Sequence, residues 1–198
     1  MAKILVAYAT MAGSTKEVAE QIVQQLGTAG VAADTQPIRT VTSLDGYSAV
    51  IVAAPMIIGW HREAQGFIAR FADRLASLPV AYCIMCYELT DTGVDAVQGV
   101  PVTIDPQFRS QRKDSGKLSF KEKQTTVAAY VQGPLKKAPG VKPVEVGIFK
   151  GAVDFSKLSL FSMFFVRLLI RAKQGDYRDW DAITAWAEAV CPKLVTDA

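Results

Sequence analysis

Five short apolar runs, separated by stretches with helical periodicity, constrain this fold more than any other feature of the sequence. Most of the runs are continuously apolar, which is typical of strands covered on both faces of a sheet. The predicted strands are residues 4–8, 31–35, 50–54, 80–86 and 144–149. Strands that alternate with helices predict a parallel sheet with right-handed crossovers. In such sheets ligands bind beyond the carboxyl ends of the strands.

Helical periodicity accounts for most of the chain between the strands. Apolar residues recur every three or four positions, which places them on one face of a helix. On the first predicted helix these residues are Val18, Ile22 and Leu26. On the second, between the third and fourth strands, they are Phe67, Ile68, Phe71, Leu75 and Leu78. A weaker helix is predicted for residues 119–135, ended by Gly133 and Pro134, and the last helix for about residues 179–190.

A hydroxyl-rich turn, residues 10–15, joins the first predicted strand to the first helix. Backbone N–H groups and short hydroxyl side chains at a helix N-terminus can hold a phosphate without a lysine, because the helix dipole and its unpaired donors attract the anion. Gly13 allows the backbone to approach a ligand closely or to adopt a positive φ. The turn therefore predicts a nucleotide or flavin cofactor. The alternative is an ordinary turn without a ligand, with Ser14 or Thr15 as the N-cap.

Composition and motifs exclude several other classes of protein. The turn has neither the G-x-x-x-x-G-K-[ST] pattern of a triphosphate loop nor the G-x-G-x-x-G pattern of a dinucleotide site. Half of the 198 residues are hydrophobic and 21% are charged, which predicts one globular domain over residues 1–198. No signal-peptide pattern and no apolar stretch of about 20 residues is present. We therefore expect a cytoplasmic protein.

The sequence offers no metal centre and no nucleic-acid motif. Cys83 and Cys86 spell C-x-x-C, but they lie in an apolar run where residues three apart point to opposite faces of a strand. With one other cysteine and a single histidine, His61, the chain has no set of metal ligands. The net charge of +3 is too small to indicate nucleic-acid binding.

Two segments exceed a minimal five-strand plan. An insertion of about residues 89–118, rich in Gly, Pro, Asp and Thr, follows the fourth strand and is predicted to be a long loop. Its basic residues, with those of the next helix, are Arg109, Arg112, Lys113, Lys117, Lys121 and Lys123. They are either a solvated surface or a lid over an anionic substrate.

A nearly continuous apolar segment, about residues 158–172, precedes the last helix. It is too short to span a bilayer, and it either packs in the core, lies at the inner face of a membrane or forms a homo-oligomer contact.

Together these features resemble the flavodoxin-like proteins that bind flavin mononucleotide (FMN). Their phosphate turn has the form [ST]-x-T-G-x-T, which Thr10, Gly13 and Thr15 match, while Ala12 replaces the middle hydroxyl. The chain resembles most the menaquinone-dependent protoporphyrinogen IX dehydrogenases, through the A-x-x-x-x-G loop at 54–59 and the Gly151-Ala152 pair after the fifth strand. The resemblance implies a doubly wound α/β fold with a five-stranded parallel sheet in the order 2-1-3-4-5.

The resemblance also implies where the cofactor would lie. The phosphate would sit on residues 10–15, and the ring between the 55–60 loop and the loop that begins at Tyr87. The implied cofactor-binding residues are Thr10, Met11, Ala12, Gly13, Ser14, Thr15, Pro55, Met56, Ile57, Ile58, Gly59, Trp60, Tyr87 and Glu88. Trp60 and Tyr87 are candidates to flank the ring; the alternatives are a surface aromatic for Trp60 and a strand-end core residue for Tyr87. His61 is a weak candidate for a proton donor, and a surface histidine is the alternative.

The implied activity is that of an FMN-dependent oxidoreductase which takes electrons from a small molecule such as a porphyrinogen and passes them to a quinone. Two alternatives remain open. One is a soluble flavodoxin-type electron carrier, although such carriers are strongly acidic and this chain carries +3. The other is an NAD(P)H-dependent flavin or quinone reductase, for which the chain has no dinucleotide motif.

Overall fold

The computed structural model describes residues 3–57, 59–108, 118–157 and 172–195. Its strands are β1 (Lys3–Tyr8), β2 (Ala33–Pro37), β3 (Tyr47–Pro55), β4 (Val80–Cys86), β5 (Ala96–Val97), β6 (Val100–Ile104), β7 (Glu145–Lys150), β8 (Ala152–Val153) and β9 (Gly175–Asp176). Its helices are α1 (Ser14–Thr28), α2 (Arg62–Arg70), α3 (Ala72–Ala76), α4 (Phe120–Gln124), α5 (Val127–Lys137) and α6 (Trp180–Leu194). A 3₁₀ turn, Ile38–Thr40, follows β2, and another, Phe155–Lys157, follows β8.

The main sheet has seven strands in the order β2-β1-β3-β4-β7-β6-β5. Its first five members are parallel and confirm the predicted order 2-1-3-4-5. The sheet has two strands more than the five predicted. Strand β6 pairs parallel with β7, and β5 pairs antiparallel with β6 at the edge of the sheet. Both extra strands come from the insertion, so part of residues 89–118 is sheet and not the predicted loop.

The second strand begins two residues later than predicted because α1 ends in a Schellman turn. Gly30 has a φ of 76°, and its N–H donates to the Gly27 carbonyl. The N–H of Val31 donates to the Leu26 carbonyl at 3.0 Å. These bonds satisfy the last carbonyls of the helix and place Val31 in its cap instead of in the strand.

Strand residues alternate between two separate hydrophobic cores, one on each face of the sheet. In β1, Leu5 and Ala7 point into the core covered by α2, α3 and α5, while Ile4 and Val6 point into the core covered by α1 and α6. The same alternation separates Cys83 from Cys86, which lie in opposite cores as the sequence predicted. Burial raises the pKa of Cys83 to about 12, so this thiol stays neutral.

Three predicted helices have different limits in the structure. The second is divided at Phe71 into α2 and α3, and the 119–135 helix is divided into α4 and α5, with Thr126 as a new N-cap. Pro134 does not end α5, which continues to Lys137 because its apolar face, with Pro134 on it, is buried in the core. The last helix likewise extends through Pro192 to Leu194.

Several predicted features lie outside the described residues. They are Ile58, the basic residues Arg109, Arg112, Lys113 and Lys117, and the apolar segment up to residue 171. Among the residues that the structure describes, no helix is long and apolar enough to cross a membrane.

Gly147 in β7 allows two aromatic rings to pack over the centre of the sheet. A Cβ at this position would lie 2.5 Å from Cε2 of Phe149 and 2.8 Å from Cε2 of Trp186. We expect Gly147→Ala to lower the free energy of unfolding by about 1–3 kcal/mol through overpacking, measured by urea denaturation. Gly66→Ala is the control, because Gly66 is an exposed helical position with open space around it and should become slightly more stable. Equal effects of the two changes would contradict this account.

Candidate functional site

A cavity of about 390 Å³ opens at the carboxyl ends of β1, β3, β4 and β7. The turn after β1 forms one end of it, the loop after β3 and the end of β4 form its floor, and α4 and α5 form the far wall. The residues that line it are Met11, Ala12, Ser14, Thr15, Pro55, Met56, Ile57, Gly59, Met85, Cys86, Tyr87, Glu88, Phe120, Lys121, Gln124, Thr125, Tyr130, Gly151, Ala152, Val153, Asp154 and Ala172. Both the volume and the largely apolar wall suit a small-molecule ligand.

The turn after β1 presents an uncapped helix N-terminus to this cavity. Gly13 is the N-cap of α1, with a φ of 91° and a ψ of −21°, and no side chain caps the helix. The N-cap role considered for Ser14 or Thr15 is therefore wrong. Thr10 Oγ1 accepts a hydrogen bond from the Gly13 N–H at 2.9 Å, which closes the turn and leaves its own hydroxyl hydrogen available. The backbone N–H groups of Ser14 and Thr15 thus remain at the positive end of the helix dipole.

The loop after β3 folds back on itself at Gly59, whose φ is 74°. Its start is fixed to the neighbouring strand, since the Met56 N–H donates to the Met85 carbonyl at 2.7 Å. Pro55, Met56, Ile57 and Gly59 line the cavity, and their role in binding a cofactor stays a prediction.

Trp60 lies in the core and does not line the cavity. Its side chain is 2% exposed, its Nε1–H donates to the Ala54 carbonyl at 3.2 Å, and its ring centre lies 5.0 Å from that of Tyr82. A buried indole is stable when its N–H has such a partner. This placement differs both from a ring-stacking position and from the surface position considered as the alternative.

His61 caps α2. Its Nδ1 accepts a hydrogen bond from the Glu63 N–H at 3.4 Å, and the residue does not line the cavity. The structure therefore gives the imidazole a structural contact at the start of a helix and not a place near a ligand in this cavity.

Tyr87 and Glu88 line the cavity where β4 ends. The Tyr87 ring lies edge-on to Tyr177, with 5.5 Å between centres, and its hydroxyl oxygen accepts a hydrogen bond from the Lys173 N–H. The Glu88 carboxylate lies 2.7 Å from Lys121 Nζ. Tyr87 is thus held by the segment that precedes α6, and Glu88 by α4.

The corner between α4 and α5 completes the far wall, and among the residues that line this wall Lys121 alone was a candidate from the sequence, as part of a lid over an anionic substrate. Hydrogen bonds attach it to the chain after β4: the Thr90 N–H donates to the Thr125 carbonyl at 2.8 Å, and the Val127 N–H donates to Asp91 Oδ1 at 2.7 Å. The Ser119-x-x-Glu122 capping box was a signal for the start of α4. Nothing in the sequence places that start beside the cavity.

Cys86 lies in the cavity floor with a neutral thiol. Burial raises its pKa well above the ordinary value, and the nearby carboxylate of Asp105 raises it further. Asp105 is itself buried and accepts hydrogen bonds from the N–H groups of Gln107 and Lys150. The Cys86 thiol therefore adds no charge to the floor of the cavity at neutral pH.

The two-stranded sheet of β8 and β9 forms the wall next to the turn at residues 10–15. Arg178, just after β9, donates through Nε to Asp176 Oδ1 at 2.8 Å. These hydrogen bonds hold the pKa of Asp176 below its ordinary value. The arginine side chain is only 7% exposed, and its guanidinium lies 4.4 Å from the centre of the Trp180 ring.

The chain is similar in sequence to a known protein family and to a curated protein. A family model described as a flavodoxin domain matches residues 5–179. The protoporphyrinogen IX dehydrogenase (quinone) of Escherichia coli strain K12 is 21% identical over 199 residues, covering 95% of this chain and 94% of that protein.

Two solved structures share the fold. Oxidised flavodoxin 2 from Bacillus cereus is 18% identical, with a TM-score of 0.52 over 97% of this chain and 99% of that one. Rubredoxin oxygen:oxidoreductase from Desulfovibrio gigas is 9% identical, with a TM-score of 0.52 over 97% of this chain and 36% of that one.

The hydroxyl of Tyr130 attaches the far wall of the cavity to the chain after β4. It donates to the Glu88 carbonyl at 2.9 Å. We expect Tyr130→Phe to lower the free energy of unfolding by about 1 kcal/mol, because a buried acceptor loses its donor. Tyr82→Phe is the matched control, since the Tyr82 hydroxyl is buried without a partner among the described residues and its removal should cost nothing. Thermal or urea unfolding of both variants measures the difference, and the reverse ranking would contradict the assignment.

Because the pKa of Asp176 is lowered in the folded protein, we expect the fold to lose stability in acid. A carboxylate whose pKa is lowered on folding stabilises the fold fully above its unfolded pKa of 3.8, and this contribution is lost as the pH falls through the lower folded pKa. The stability difference between wild type and Asp176→Asn should therefore be constant from about pH 5 to pH 8 and shrink below about pH 4. Urea denaturation at each pH measures it. A difference that does not change down to pH 2 would contradict the ion pair.

Proposed function

The chain belongs to the flavodoxin domain family, and from this premise we propose that it is an FMN-dependent oxidoreductase. The observation that carries the proposal is the uncapped N-terminus of α1 beside an apolar cavity. The first attracts a phosphate and the second suits a flat aromatic ring. These are the two chemically different ends of FMN.

The residues at the phosphate end fit this group. Ser14 and Thr15 offer both backbone N–H groups and hydroxyls, and Thr10 offers a third hydroxyl that is already fixed to Gly13. A Cβ on Gly13 would meet nothing within 4 Å, so the space in front of the turn is open. A phosphate could thus be held by neutral donors and the helix dipole alone.

The rest of the cavity would hold the ring. Met56 and Ile57 come from the loop after β3, and Met85 and Cys86 from the end of β4. These side chains exclude water from the floor, while Tyr87 stands at the side and is held by the Lys173 N–H. FMN, when bound, supplies the hydride and single-electron chemistry itself. The protein binds it, orients it and controls its surroundings.

For the substrate we propose a porphyrinogen, with a quinone as the electron acceptor. The support is the similarity over 95% of the chain to a protein named protoporphyrinogen IX dehydrogenase (quinone), and the net charge of +3. A positive net charge favours an anionic substrate. The second candidate is an electron carrier, favoured by the fold shared with flavodoxin 2 from Bacillus cereus.

Turnover measurements separate these functions. The purified protein, loaded with FMN, is supplied under anaerobic conditions with protoporphyrinogen IX and a soluble quinone, and porphyrin fluorescence is recorded. We expect quinone-dependent oxidation above the rate without protein. Electron delivery to a redox protein without porphyrinogen turnover would favour the carrier, and turnover of quinone with NAD(P)H alone would favour a reductase. Failure to bind added FMN would contradict all three.

Replacing one hydroxyl tests the phosphate end. We expect Thr10→Val to weaken FMN binding about tenfold, the equivalent of one hydrogen bond, and to leave riboflavin binding unchanged because riboflavin has no phosphate. Quenching of flavin fluorescence measures both affinities. Thr35→Val is the control, since the Thr35 hydroxyl is in β2 and is buried without a partner among the described residues. Equal weakening of FMN and riboflavin would place Thr10 outside the phosphate site.

A further inference from the structure

Arg178 connects the start of α1 to β9 of the two-stranded β8–β9 sheet. Its Nη1 donates to the Ser14 carbonyl at 3.1 Å and to Glu17 Oε2 at 2.8 Å, both in the first turn of α1. Its Nε and Nη2 donate to the carboxylate of Asp176 in β9. One planar group thus joins the start of α1 to β9. The fork of the guanidinium suits this task, and the point charge of a lysine does not.

The same contacts offset a charge that would oppose an anion. Glu17 lies in the first turn of α1, and it lines a second, polar cavity of about 480 Å³ together with Ser14 and Arg178. A carboxylate beside a bound phosphate repels it, because like charges at short range raise the free energy of the bound state. Burial by itself opposes the charge of Arg178, but its hydrogen bonds to Asp176 and Glu17 outweigh that effect and raise its pKa. Arg178 therefore stays charged and offsets part of the negative charge that Glu17 and Asp176 bring to this place.

We propose that Arg178 is the positioning residue of the phosphate site: it orients the first turn of α1 and offsets the negative charge of Glu17 there. The inference rests on the proposed function, since it assigns the phosphate of FMN to this turn. Arg178 acts through Ser14 and Glu17. Its guanidinium is already occupied by two carboxylates and a carbonyl, and it is not itself the ligand of the phosphate.

The experiment compares FMN with riboflavin, which differ only in the phosphate. We expect Arg178→Met to weaken FMN binding about tenfold and to change riboflavin binding less than about twofold. Arg178→Lys should lie between wild type and Arg178→Met, because it keeps the charge but loses the fork. Adding Glu17→Gln to Arg178→Met should restore part of the FMN affinity, since it removes the charge left uncompensated. A purely structural role predicts equal loss of both ligands and no recovery in the double variant.

Arg70→Met is the matched control. Arg70 also donates to a backbone carbonyl, that of Val41 at 2.7 Å, and its guanidinium lies 4.5 Å from the centre of the Phe71 ring. It does not line the cavity. Its replacement should lower thermal stability and leave the ratio of FMN to riboflavin affinity unchanged. The same ratio in Arg178→Met as in Arg70→Met would overturn the inference.

A titration with inorganic phosphate keeps the two proposals distinguishable. If the wild type binds no FMN, the proposed function fails. The amide NMR signals of Ser14 and Thr15 in the flavin-free protein then test Arg178 alone. Larger shifts at equal phosphate concentration in wild type than in Arg178→Met support the positioning role, and equal shifts in the two proteins overturn it.

Discussion

The parallel ladder that places β1 between β2 and β3 is the constraint on which the cavity depends. The crossover from β1 runs through α1 on one face of the sheet, and the crossover from β3 runs through α2 and α3 on the other. The turns that leave β1 and β3 therefore diverge, and a crevice opens between them at the carboxyl ends of the strands. The crevice at this edge follows from topology before any particular side chain is considered.

The elements that could be predicted are those in which a local pattern and burial agree. Strands β1, β3 and β4 are apolar runs buried on both faces, and the turn at Gly13 joins β1 to a helix of clear periodicity. Trp60 shows the limit of such patterns, because a position in a loop contains no information on which way an indole points. Its direction is decided by the Ala54 carbonyl and the Tyr82 ring, which are brought to it only by the folded sheet.

The extra strand β6 illustrates a second limit. Its sequence, with Pro101 among apolar residues, is typical of a loop or of an edge strand, and local propensity does not separate the two. Asp105, just after β6, holds this segment in the sheet as a strand. Its N–H donates to the Ile148 carbonyl, and its carboxylate accepts a hydrogen bond from the Lys150 N–H. Both partners belong to β7, about 40 residues further along the chain, so the register of β6 is a tertiary property.

Ion pairs join neighbouring walls of the two cavities. Among the described residues, the charged groups in the walls are paired: Glu88 with Lys121, Asp154 with Lys157, and Arg178 with Glu17 and Asp176. The Glu88–Lys121 pair joins the end of β4 to α4, and Arg178 joins β9 to the start of α1, so these charges are offset across neighbouring walls. An anion at the start of α1 would then be held by dipoles and hydrogen bonds in a partly buried turn. Such short-range contacts are screened less by salt than an exposed lysine or arginine site.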